Sequence, residues 1–121
     1  MQQPRNLNAL RMYLQRILDT AFARQTGAAR VQLLGLFTLI YLLQSDKDDV
    51  TARRLSLMTG QPEGDVGNQV KKLVALDLIE RTQVPNKQGR GRAFKLTIKH
   101  SAPARRLTKA IDKAAGGRGR K

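Results

Sequence analysis

Apolar residues recur at helical spacing through the first 44 positions and again from 52 to 76, and between 79 and 98 they fall on alternate positions. Leu7, Leu10, Leu14, Ile17 and Ala21 lie three or four apart, with Arg5, Asn8, Arg11, Gln15 and Asp19 on other faces. This heptad stripe predicts a helix over 4–23, for which Pro4 is a suitable first-turn residue. Thr26-Gly27 interrupts it. A second helix, about Ala28 to Gln44, is apolar nearly all round and should be the central core helix. The run Val31 to Leu43 is too short to cross a bilayer.

Ser45 to Asp49 is a polar connection whose carboxylates lack the glycine and distal glutamate of a calcium loop. Thr51 suits the N-cap of a short helix, Ala52 to Thr59, with Leu55 and Met58 facing inward. Gly60-Gln61-Pro62 forms the turn, glycine ending one helix and proline sitting at the start of the next. That next helix, about Glu63 to Leu76, carries Val66, Val70 and Leu73 at core spacing and is closed by Asp77. Leu78-Ile79 opens a strand running to Val84. Pro85 to Gly91 is a turn-rich tip, and Ala93 to Ile98 returns with Phe94, Leu96 and Ile98 on one face. A last helix from Ser101-Ala102-Pro103 to about Ala115 has Ala104, Leu107, Ala110, Ile111 and Ala114 as its apolar face. The predicted fold is mainly α with a small β-hairpin wing, a winged helix-turn-helix of α+β class whose terminal helices form a dimer interface.

Charge sharpens this picture. The 121 residues carry a formal charge of +14, with a pI near 11.3. Residues 1–50 contribute +2 and residues 51–121 contribute +12. A polyanion partner follows, and nucleic acid is the commonest. No basic amphipathic helix offers exposed Trp or Phe for insertion, so a membrane partner is not expected. The chain has no cysteine, hence no disulfide or thiolate metal site. No signal peptide is visible, and the expected location is cytoplasmic and nucleoid-associated.

The expected recognition helix presents Gly64, Asn68, Lys71 and Ala75 opposite its core face, with Lys72 on the flank. Asn68 can pair bidentately with adenine, and Lys71 and Lys72 can reach phosphate or guanine. Gly64 and Gly67 weaken the helix but remove side chains that would hold it off a duplex. Glu63 and Asp65 repel phosphate, and either complement the helix N-terminus or, for Asp65, accept from cytosine. From Arg81 to Lys99 there is no acid. The tip reads Lys87-Gln88-Gly89-Arg90-Gly91-Arg92; glycines between arginines let a backbone lie in a narrow, AT-rich minor groove. Gly-Arg-Gly-Arg recurs at 117–120. Candidate phosphate contacts are Arg53, Arg54, Arg105, Lys109, Lys113, Arg118 and Arg120; candidate dimer contacts are Leu7, Leu10, Leu14, Ile17, Leu107 and Ile111. The stripe on the first helix can serve either an intrachain face or a dimer seam, and partial use in a dimer is favoured because a small core cannot cover every apolar face. The expected organisation is a dimerisation helix (1–27), a DNA-binding domain (28–99), a basic amphipathic helix (100–115) and a basic tail (116–121), disordered when free.

The order of these elements, with Leu73-Val74-Ala75-Leu76-Asp77-Leu78-Ile79-Glu80-Arg81 and Arg92-Ala93-Phe94-Lys95-Leu96-Thr97, resembles the MarR-type winged-helix regulators over roughly residues 30–99. The resemblance implies that Arg92 is the wing arginine entering the minor groove and that flanking helices build a homodimer. It also implies a family in which small effectors often bind between the dimer helices and the DNA-binding lobe, although no residue here announces such a pocket. The chain departs from the family pattern in two places. The wing-tip Asp is absent, with Arg90 near its place, and Asp77 stands where Gly is usual before the first wing strand. Gln88-Gly89-Arg90 also resembles the minor-groove hook of H-NS-type silencers.

Three readings follow: a dimeric, sequence-influenced regulator of double-stranded, AT-rich DNA; an architectural silencing protein with little base readout; and an RNA-binding protein. Only five aromatics, Tyr13, Phe22, Phe37, Tyr41 and Phe94, oppose a stacking platform for RNA. No nucleophile, metal, cofactor or phosphate-loop motif suggests an enzyme, and His100, just past the last strand, has no plausible partner.

Overall fold

The computed structural model describes residues 3–46, 48–85 and 92–114, without the side chains of residues 3–7, 9, 10, 13, 85, 92 and 114. Five helices and one hairpin follow in the order α1 (Gln3–Thr20), α2 (Gly27–Leu43), α3 (Ala52–Thr59), α4 (Glu63–Ala75), β1 (Ile79–Pro85), β2 (Arg92–Ile98) and α5 (Ala102–Ala114). The architecture is a winged helix-turn-helix with helices added at both ends. No helix among the described residues is long and apolar enough to cross a membrane.

The core forms around α2, which buries Leu33, Leu34, Leu36, Phe37 and Ile40. Against it pack Ile17 and Phe22 from the α1 end, Leu55 of α3, Val66, Val70 and Leu73 of α4, Ile79 and Leu96 of the hairpin, and Ala104 and Leu107 of α5. α2 is less uniformly buried than its apolar sequence suggests, because Val31 and Leu42 face outward. The α1–α2 break at Thr26 is a built junction. Thr26 caps α2 by accepting from the Ala29 amide at 3.2 Å. Arg30 reaches back to donate to the carbonyls of Ala23 (2.8 Å) and Gln25 (3.0 Å) in the connection between the two helices.

Thr51 caps α3 through the Arg54 amide, as its position predicts. Leu55 is buried, but Met58 is 52 % exposed and does not face inward. Met58 sits about 60° round the helix from Leu55. Such a short helix, packed on α4, covers only a narrow stripe.

Gly60 ends α3 in the left-handed region at φ 79°, a conformation glycine adopts at no steric cost. The turn is then tied from both helices. Ser56 Oγ donates to the Gln61 carbonyl at 2.6 Å, and Gln69 Nε2 of α4 donates to Gln61 Oε1 at 2.7 Å.

α4 closes in a Schellman motif. The Leu78 amide reaches the Leu73 carbonyl (3.1 Å), the Asp77 amide reaches the Val74 carbonyl (3.0 Å), and Leu73 and Leu78 are both buried. The motif needs a left-handed residue, and Asp77 supplies it at φ 67°. Short polar side chains tolerate this region better than most, which explains how Asp fills a position where the resembling family has Gly. β1 and β2 pair antiparallel, Ile79 opposite Ile98 and Pro85 opposite Arg92. At the hairpin's base the Leu96 amide donates to the Val50 carbonyl at 2.8 Å, joining the wing to the strand-like approach to α3.

Candidate nucleic-acid interface

Burial of Val66, Val70 and Leu73 fixes the rotation of α4, so its other face must point to solvent. Gly64, Asn68, Lys71, Lys72 and Ala75 are all exposed, as the wheel requires. Asn68, Lys71 and Lys72 have no ion pair or side-chain hydrogen bond among the described residues, so their polar ends are free for a ligand. Glu63 and Asp65 occupy the first turn beside the helix N-terminus, where the aligned peptide dipoles favour negative charge.

Gln69 is a site residue that periodicity misses. It lies on the buried side, 7 % exposed, and its Oε1 has no hydrogen-bond partner among the described residues. Its bond to Gln61 locks α4 to the turn, setting where Asn68 and Lys71 project.

The hairpin follows the C-terminal end of α4. Its cations differ in availability. Arg81 lies over the Phe94 ring, 5.4 Å from the centroid, and Phe94 is 45 % exposed. Cation–π stacking of this kind holds a guanidinium in place while leaving its donors outward. Lys95 is 3.9 Å from Asp49, and Lys99 is 2.6 Å from Asp77. The hydrogen bond that Lys99 donates to Asp77, the negative charge of Asp77 and the more distant Glu80 raise the Lys99 pKa above the ordinary lysine value. Phe94, Leu96 and Ile98 share a face as expected; Leu96 is buried, Ile98 at the base is partly buried, and Phe94 is exposed because the face runs off the core toward the tip. The backbone of Arg92 is placed at the start of β2. Lys87, Gln88, Gly89, Arg90 and Gly91, with the silencer-like hook, lie outside the described residues, as do Arg118 and Arg120.

Of the other expected phosphate contacts, Arg53 is exposed. Arg54 is committed elsewhere: it donates to Asp46 Oδ2 at 2.7 Å and to the Asp48 carbonyl at 3.0 Å, closing the loop before α3. Arg105, Lys109 and Lys113 are exposed on α5, which begins at the base of the hairpin, so they form a group separate from the α4 face and are not part of that interface. The expected dimer seam divides. Ile17 (5 % exposed) and Leu107 are buried within the protomer, because α1 and α5 pack on each other and on α2, so they have no surface to give a partner. Ile111 is partly buried on the same core. Leu14 and Met12 are exposed, and the side chains of Leu7 and Leu10 lie outside the described residues.

A cleft of about 450 Å³ opens between the end of α2, the base of the hairpin and α5, where Tyr41, Glu80, His100 and Arg105 meet. Beside it Tyr41 donates its hydroxyl to the Asp112 carboxylate, 2.8 and 2.9 Å from the two oxygens.

No protein-family model and no curated protein sequence matches this chain. Among solved structures, it is similar to a possible transcriptional regulator from Methanosarcina mazei Go1, with TM-score 0.52, 20 % identity, and coverage of 87 % of this chain and 82 % of that one. It also aligns with wild-type MarR from E. coli in its apo form, with TM-score 0.44, 17 % identity, and coverage of 97 % and 85 %. The first likeness is one of fold.

Proposed function

We propose that the protein is a homodimeric, DNA-binding transcriptional regulator of MarR type. α4 enters a major groove, Asn68 reads a base there, and Lys71 and Lys72 contact phosphate or guanine. The wing reaches the neighbouring minor groove through its Gly-Arg tip and Arg92, favouring AT-rich sequence. Arg53 adds a phosphate contact at the start of α3. Leu14 and Met12 on α1 supply apolar surface for the partner protomer, and acting on DNA places the protein at the nucleoid in the cytoplasm. The observation that carries this reading is the solvent-facing side of α4, where Gly64, Asn68, Lys71 and Ala75 form a low, polar, cationic strip beside a hairpin free of acid from Arg81 to Pro85 and from Arg92 to Lys99.

A second reading, an architectural protein coating AT-rich DNA, is favoured by Glu63 and Asp65 at the leading turn, which dilute base readout. Selection from a random-sequence duplex library at two salt concentrations separates the two. A spaced, two-fold-symmetric motif that survives the higher salt supports the regulator. Enrichment for AT content alone, vanishing with salt, supports the architectural mode. No enrichment overturns both.

A further inference from the structure

The net charge is larger than one groove-binding face can use, and a large part of it lies elsewhere. α5 presents Arg105, Arg106, Lys109 and Lys113 to solvent. Arg105, Lys109 and Lys113 recur every four residues, so they line one side of the helix in steps of about 6 Å. Among the described residues no carboxylate pairs with Arg105, Arg106 or Lys109. Asp112, the one acid on α5, is turned to the Tyr41 hydroxyl.

The stripe lies on a different element from the α4 face, at the far end of the hairpin from the wing tip. β2 runs seven residues from Arg92 near the tip to Ile98 at the base, about 20 Å, and α5 starts beyond that base. The wing tip and the beginning of α5 are therefore at opposite ends of the hairpin. α4 and α5 each turn their buried side to the common core around α2, α4 through Val66, Val70 and Leu73 and α5 through Ala104 and Leu107, so their exposed sides look away from it.

We propose that the outer face of α5 is a second, sequence-independent docking surface for double-stranded DNA, so that one protein molecule bridges two duplexes. The stripe is cationic, regular and rigidly held, which suits a line of phosphates. An anionic lipid surface fits less well, because the apolar side of α5 is closed against α1 and α2 and has nothing to insert. The inference rests on the reading of α4 as a duplex-binding helix.

The test uses the full chain, with one duplex on beads and a second, labelled duplex in solution. Single-duplex affinity is measured in parallel by fluorescence anisotropy. The wild type is expected to capture the labelled duplex. Arg105→Gln/Arg106→Gln/Lys109→Gln should lower capture about 10-fold or more and shift single-duplex affinity by less than about 3-fold. Lys109→Glu alone, an exposed single change, should act in the same direction. Tight single-duplex binding without capture by the wild type would overturn the inference and leave the α4 reading standing. Capture unchanged in the variants, or an equal loss of capture and affinity, would overturn it as well. So would α5-dependent binding to phosphatidylserine vesicles without duplex capture. Absence of any duplex binding by the wild type would remove the α4 reading itself.

Discussion

Gln69 gives a stability prediction whose sign runs against the usual cost of changing a buried residue. Its amide donates to Gln61 Oε1 while its own Oε1 is buried without a partner among the described residues. Replacing it by methionine keeps the volume, the unbranched shape and the helix propensity. The change removes an unsatisfied buried carbonyl, which costs about 1–3 kcal/mol, and loses a neutral hydrogen bond worth about 0.5–1.5 kcal/mol. Gln61 is partly exposed, so its freed oxygen is taken up by water. The balance is a stabilisation of about 1 kcal/mol, or a rise in Tm of about 3–6 °C for a chain of this size. Urea unfolding followed by far-ultraviolet circular dichroism, fitted for midpoint and slope, measures it. A loss of about 1 kcal/mol or more would refute the reasoning, because it would mean that both amide atoms are satisfied in solution.

Other perturbations have equally definite outcomes. Leu55→Ala removes the fully buried anchor of α3 and should cost about 2–5 kcal/mol in the same unfolding experiment; a cost below about 1 kcal/mol would mean α3 is not held by that contact. Gly60→Ala meets open space but must adopt φ 79°, so it should cost about 1–2 kcal/mol through backbone strain alone. For Lys99, the raised pKa means that the folded state holds its proton more tightly than the unfolded chain. The resulting stabilisation is complete below the ordinary lysine pKa of 10.5 and disappears as pH rises through the higher folded value. Asp77→Asn keeps the tolerance for positive φ and removes the charge, so its urea midpoint should fall below the wild type at pH 8 and converge with it at strongly alkaline pH; a constant gap would assign the effect to the backbone.

What the sequence discloses here follows from how local each feature is. The α4 face was readable because three core residues at helical spacing fix the rotation of every other residue on that helix. Thr51, Gly60 and the closing role of Asp77 were readable because caps and turns are chosen by neighbours within four residues. Spacing puts Met58 inward where the structure exposes it, because spacing says which residues share a stripe, not how wide a stripe the facing helix covers. Spacing alone leaves open whether Ile17 and Leu107, both buried within this chain, face it or a partner, because a heptad pattern is the same in either case. Arg54 carries a charge that any basic residue near a helix-turn-helix would be expected to offer to phosphate; its engagement by Asp46 depends on the path of a loop. The Gln61–Gln69 clamp was invisible for a similar reason, since a glutamine at a core position reads simply as an interruption of the pattern.

The claim that α4 reads bases is tested most directly by comparing wild type and Asn68→Ala on two duplexes of equal length. One carries the motif obtained by selection, and the other is generic AT-rich DNA. Loss of a bidentate base contact should weaken binding to the selected site by about 1–3 kcal/mol, while affinity for generic AT-rich DNA changes little. Equal affinities of the two proteins for the selected site would contradict the account, because the exposed face of α4 would then not be the surface that recognises sequence.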